Sequence, residues 1–295
     1  MNKRHIQPKA EKEDDLPKNP LPATQLEGEF NEQINIAIEI LGRENVFGPD
    51  EVMDTFGVRV DKVPSIPFSA TELERAKKLN QILVLRVDKT NDGRPMSIQA
   101  MNEILTTKWS EENMGDLLDT AEGWKETTLG PKKFTTEAPR HSWALTTKEV
   151  LPGSTDKNYL EQTELLIKAL TQEAFKDLEL PKEYKDAISE FNEQKEELTK
   201  LMGTDWKVAA SRLVSLKITK LTRQSAPEAL YDLAIYYNTT KVRLLANKYT
   251  WTLSLDPDGD LVDLGNFDAQ GAFGSGWIPV GRDDDMGASL SRSVI

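Results

Sequence analysis

Apolar positions follow two different rhythms along this chain. As far as Tyr237 they recur mostly at helical spacing, and from Tyr249 they alternate and are cut by Gly and Asp turns. Ile34, Ile38 and Leu41 share one face of a helix predicted over about Phe30 to Leu41, with Gly42 as its C′ residue. Pro49 fits the first turn of a short helix ending at Gly57. The next stretch, VRVDKVPSIPF, is extended, because Pro64 and Pro67 block a helix. Ser69-Ala-Thr-Glu72 is a capping box opening a helix through about Leu79, and Ser97 caps another to about Trp109. Between them Gln81 to Val87 (QILVLRV) reads as a strand closed by Asn91-Asp92-Gly93, and Trp143 to Val150 as a second. From Ser110 to Arg140 no period stands out.

After Pro152-Gly153 four helices are predicted: Asn158 to about Phe175, Lys182 to Met202, Trp206 to Leu221, and Pro227 to Tyr237 behind the capping box Ser225-Ala-Pro-Glu228. Tyr184, Ile188, Phe191, Leu198 and Leu201 form a stripe that reads as packing surface. Tyr249 to Leu255 and Leu261 to Phe267 should then pair as a hairpin across Asp258-Gly259. Alternation sets Tyr249, Trp251, Leu253 and Leu255 on one face, expected to be buried against the helix from Pro227 to Tyr237. Thr250, Thr252 and Ser254 occupy the other. The fold class expected is α+β. It comprises a disordered tail (1–28), a mixed α/β region (29–150), and a helical body with a turn-rich antiparallel β module (151–295).

The tail expectation rests on composition: residues 1–28 carry four Pro and many charges with almost no large apolar group, too little to offset chain entropy. The segment has no apolar h-region, and no run approaches the roughly 20 apolar residues of a membrane helix. A soluble, cytoplasmic protein without membrane contact is expected. A net charge of −12 argues against binding a phosphate backbone, so no nucleic acid is expected. Arg212, Lys217, Lys220 and Arg223 read as a solvated helix face. With no cysteine, disulfides, thiolate metal sites and cysteine nucleophiles are excluded. The two histidines are His5, in the tail, and His141, read as structural or exposed, which leaves little for histidine catalysis.

Candidate chemistry is sparse. Pro152-Gly-Ser-Thr-Asp-Lys157 is similar to the nucleophile motif of penicillin-binding transpeptidases, which implies Ser154 as nucleophile and Lys157 as its base on one helix start. The K-T-G and S-x-N elements of that family do not occur in the chain. Asp256, Asp258, Asp260 and Asp263 present the spaced carboxylates that a calcium loop uses. Leu261 and Phe267, however, stand where an EF-hand needs Gly and Glu, so the segment also reads as a metal-free hairpin in which Asp256 and Asp258 contribute little to stability. Asp283, Asp284 and Asp285 form a second acidic cluster, read as a solvated loop. Gly274, Ser275, Gly276 and Trp277 combine backbone freedom with an aromatic anchor, as binding loops do.

One resemblance covers about the last 75 residues. Arg223, the capped helix from Ser225 to Tyr237, the strand Trp251 to Ser254 and the closing Ser291-Arg292 resemble the order of elements in bacterial C-type-lectin-like modules. That resemblance implies a lectin-like C-terminal fold. The lectin calcium signatures are absent, and the chain as a whole resembles bacterial proteins of unknown function. The reading expected is a non-catalytic binding protein presenting C-terminal loops to a protein or glycan, without a cofactor. Alternatives are a serine acyl-transfer enzyme using Ser154 and Lys157, and a structural subunit of a phage or secretion particle.

Overall fold

Local capping chemistry sets where several helices begin. Ser69, Asn158 and Ser225 each accept the backbone N–H three residues on, while Glu72, Glu161 and Glu228 reach back to the cap N–H. The structure, a computed structural model, describes residues 23–293. In chain order its first half holds α1 (Ala23–Leu41), β1 (Val46–Phe47), α2 (Pro49–Phe56), α3 (Ala70–Lys78), β2 (Gln81–Arg86) and α4 (Ile98–Glu112). A short α5 (Ala121–Gly123) continues into a π-helical turn over Trp124–Thr128, followed by α6 (Gly130–Thr136) and β3 (Ser142–Thr147). Then come α7 (Tyr159–Ala169), α8 (Lys182–Thr204), α9 (Trp206–Ser215), α10 (Lys217–Thr222) and α11 (Ala226–Thr240). The chain closes on β4 (Tyr249–Leu255), β5 (Leu261–Asp268), β6 (Gly271–Trp277), β7 (Met286–Gly287) and β8 (Ser291–Ser293). The α+β class is therefore as expected, and so is a turn-rich C-terminal module, antiparallel through β4, β5 and β6, with β7 joining β4 in parallel.

Three features differ from the sequence reading. α1 starts at Ala23 rather than Phe30, so residues 23–28, expected in the tail, are helical backbone. The rest of the expected tail, 1–22, lies outside the described residues. The two-residue strand β1 is too short to show a period. The helix expected from Trp206 to Leu221 breaks at Leu216, whose ψ of 139° leaves the helical region, while the apolar spacing runs on across the break.

Two four-stranded sheets result, in the orders β1-β2-β3-β8 and β6-β5-β4-β7. The last strand thus leaves the C-terminal sheet and joins β3, with Leu145 opposite Arg292. β4 and β5 pair as predicted, with Trp251 opposite Asp263, and β6 extends the ladder with Ser275 opposite Asp263.

The faces of β4 are not disposed as the alternation implied. Thr250, Thr252 and Ser254 are all buried. Ser254 Oγ accepts from the Ala226 N–H at the start of α11 (3.0 Å), and Thr252 Oγ1 donates to the Val262 carbonyl (2.8 Å). Trp251 is buried on the opposite face, in the core built by α7–α10, where it packs on Tyr159 with ring centroids 5.4 Å apart. Helices cover both sides of this sheet, so the hydroxyl face is buried too, and its polar groups are met by hydrogen bonds.

A buried ion cluster joins the first sheet to α11. Arg86, 1% exposed, donates from Nε and Nη2 to the two carboxylate oxygens of Asp232 (2.9 and 2.6 Å). Thr146 and Ser291 Oγ also accept from Nη2, and Glu228 lies 3.6 Å away. Burial alone would pull the Arg86 pKa down, but Asp232 and Glu228 hold it above its ordinary value.

Candidate binding cleft at the edge of the second sheet

β6 is the outer strand of its sheet, and half of its free edge is already occupied. The Ala272 N–H donates to the Leu117 carbonyl (2.8 Å), and the Ala272 carbonyl accepts from the Asp119 N–H (3.2 Å) and from Trp124 Nε1 (3.0 Å). One step on, Thr128 Oγ1 donates to the Gly274 carbonyl (2.8 Å). These contacts show that Ala272 and Gly274 point their backbone groups away from β5. With a strand period of two, the Gly274 N–H and both backbone groups of Gly276 point outward as well. Among the described residues nothing pairs with those three groups.

Both glycines are there for close approach rather than for a left-handed turn. A Cβ on Gly274 would sit 2.6 Å from Trp124 Cζ2, and one on Gly276 would sit 2.1 Å from Asp256 Oδ2. The tryptophan forms one wall and the β4–β5 turn the other. Together they enclose a cleft of about 450 Å³ whose floor is the Gly274–Gly276 backbone. Phe273, 41% exposed, stands at its lip. Asp119, Glu126, Asp256 and Asp258 line the cleft, and no Lys or Arg does.

The turn is self-supporting. Asp256 Oδ1 accepts from the N–H groups of Asp258 (2.9 Å) and Asp260 (2.8 Å), and Gly259 takes a φ of +93°. Asp256 therefore shapes the turn, contrary to the expectation that it contributes little. Asp263 lies apart from this turn. It is 1% exposed within the sheet, where Ser275 Oγ donates to its carboxylate at 3.2 and 3.3 Å. Burial pushes its pKa up to about 7. Asp256, Asp258, Asp260 and Asp263 do not converge as a ligand set. Among the described residues, the one gathering of potential ligand atoms is Asp283, Asp284 and Asp285 in a surface loop.

Three of the four residues picked from the sequence, Gly274, Ser275 and Gly276, line the cleft. Trp277 does not. Its side chain packs on the core built by α7–α10 and against Gly281. Trp124, Asp119 and Glu126 come from a stretch in which no pattern was legible. The available signal was two glycines two apart in a strand, which marks a backbone approached closely from outside.

Other candidates fall elsewhere. Ser154 is fully buried, donates to the Leu151 carbonyl (2.6 Å) and accepts from the Ala288 N–H (3.0 Å). Helix α7 starts five residues beyond Ser154, behind the cap Asn158, so Ser154 and Lys157 do not share a helix start. His141 is exposed, with Nε2 3.1 Å from the Lys62 carbonyl. Arg223, read as part of a solvated face, is 3% exposed and stacks on the Tyr159 ring.

Among the described residues no helix is long and apolar enough to cross a membrane. No family model, curated protein or solved structure matches the chain.

Proposed function

We propose that the protein is a non-catalytic binding protein that captures an extended, basic segment of a partner polypeptide along the β6 edge. The observation that carries this reading is the unpaired backbone of Gly274 and Gly276 on the floor of an acid-walled cleft. An added strand would recover those hydrogen bonds. Unprotected edges are rarely left open in folded proteins, and beyond the Gly274 carbonyl this one has no strand or helix paired on it among the described residues. Glu126 is paired with Lys125 (3.1 Å), but Asp119, Asp256 and Asp258 have no cation partner among the described residues, and they favour Lys or Arg on the incoming strand and disfavour acidic partners. Trp124 and Phe273 offer apolar surface for alternate side chains. A glycan would find the same aromatic wall, but backbone groups spaced along a strand match a peptide ladder better than a sugar ring.

Fluorescence anisotropy with a labelled, capped Lys-Val-Lys-Val-Lys peptide tests the proposal. Binding is expected for this peptide, at least about tenfold weaker for its Glu counterpart, and lost when alternate backbone nitrogens are methylated. The exposed substitutions Glu126→Lys and Asp258→Lys should weaken it without altering the melting temperature. Equal binding of all three peptides, or none at millimolar concentration, would overturn it.

A further inference from the structure

A second cavity, on the other side of the molecule's chemistry, is acid-rimmed but has a cation in its wall. It measures about 360 Å³ and lies between α3, the turn after α7, and the start of α8. Phe68, Phe175, Leu178 and Pro181 give it an apolar lining, and Glu72, Glu179 and Glu183 stand around it. Arg292 of β8 closes its inner wall.

Arg292 is only 1% exposed, and its guanidinium is stacked between aromatic rings. The Phe175 centroid is 4.9 Å away and that of Phe68 5.5 Å. Nη1 donates to Glu72 Oε1 at a long 3.3 Å. Nε and Nη2, the two nitrogens of the side-on fork, are buried and have no hydrogen-bond partner among the described residues. A buried donor without an acceptor loses its hydration and recovers nothing. Two such donors held parallel match one ligand shape, the two oxygens of a carboxylate. Burial pushes the neighbouring Tyr184 phenol up to about 12, so it stays a neutral hydroxyl. The cavity can therefore offer hydrogen-bond donors from two side chains.

We propose that this cavity is a ligand site for a small monocarboxylate with an apolar body, held by the Arg292 fork. The apolar lining takes the body, and the three rim carboxylates select against dianions such as phosphate monoesters. The site is separate from the β6 cleft and does not depend on what binds there.

The probe is 3-phenylpropionate, compared with 3-phenylpropanol and phenylphosphonate by isothermal titration and ligand-observed NMR at neutral pH. The acid should bind at least about tenfold more tightly than the alcohol, because only the acid completes the fork. The phosphonate dianion should be the weaker of the two anions. Leu178→Trp, which fills the cavity while leaving Arg292 in place, should abolish binding. Arg292→Met should remove the preference for acid over alcohol. Equal binding of acid and alcohol, failure of the acid to bind the wild-type protein at millimolar concentration, or unchanged binding in Leu178→Trp would each overturn the proposal.

Discussion

Arg86 and Arg292 are equally buried in the same sheet, on its two opposite faces, and their surroundings could hardly differ more. Ser291 and Arg292 are adjacent in β8, so strand alternation sends them to opposite sides. On the Ser291 side, Arg86 is met by two carboxylates and two hydroxyls. On the other side, Arg292 is met by one carboxylate at 3.3 Å and two aromatic rings, and two of its nitrogens are unanswered. Burial alone therefore does not say what a charge is for. A charge whose partners all come from the fold ties elements together, whereas one left short of partners is a demand that something else can meet.

The largest expected effect lies on the saturated side. Arg86→Met should destabilise the protein by roughly 3–5 kcal/mol, because it leaves Asp232 buried without a cation and Glu228 with only the part-exposed Arg140, 3.6 Å away. Asp232→Ala should cost about as much by leaving the guanidinium half-paired. The double variant should cost less than the sum, which urea denaturation of all three chains would measure. Additive losses would mean that the cluster does not act as a unit.

Asp263 is the acidic counterpart of an unanswered charge, with only Ser275 as a partner. Its pKa in the folded chain is about 7, while in the unfolded chain it returns to about 4. Between those values the folded state binds the extra proton, so its contribution is fully present below about pH 4 and lost as pH rises through 7. Asp263→Asn should thus be roughly 1–3 kcal/mol more stable than wild type at pH 8 and close to it at pH 4. Melting temperatures across that range would check it, and an equal shift at both ends would remove the titration argument.

What could be read from the sequence follows the same division between local and distant partners. The capping boxes at Ser69 and Ser225 and the Asp258-Gly259 turn involve residues within a few positions of each other, and their chemistry is complete in the sequence. The Arg86–Asp232 pair joins residues 146 apart, and nothing in QILVLRV distinguishes a buried arginine from one at a strand end. For the candidate cleft, Gly274, Ser275 and Gly276 were visible. The wall was not, because Trp124 reaches β6 only after the 117–128 segment folds along it. Trp277 had the composition of an anchor but the wrong face. Alternation points the Trp251 face at α11, but Ser254 meets that helix instead, because alternation records polarity, and a hydroxyl with a partner is buried as readily as an apolar group.

The β4–β5 turn gives a smaller contrast of the same kind. Asp256→Ala should cost about 0.5–2 kcal/mol, since its carboxylate holds two backbone N–H groups, as an N-cap does. Asp258 is exposed, and its side chain accepts no hydrogen bond within the turn, so Asp258→Ala should fall within about 0.5 kcal/mol of wild type. Thermal denaturation of both variants compares them directly, and equal losses would mean that Asp256 does not organise the turn.

A small effect also separates the two arginines. Arg292→Met replaces a buried guanidinium with an apolar side chain that can lie between Phe68 and Phe175. The one carboxylate it abandons, Glu72, keeps two of its contacts, from the Ser69 N–H (3.1 Å) and Ser69 Oγ (2.9 Å), and its side chain is 18% exposed to water. No buried charge is stranded, and the desolvation cost of the guanidinium disappears. The stability of Arg292→Met should therefore lie within about 1 kcal/mol of wild type in either direction, with an unchanged dependence on urea. A loss as large as that of Arg86→Met would show that Arg292 is held by the fold after all, and that the two faces of the sheet use their arginines alike.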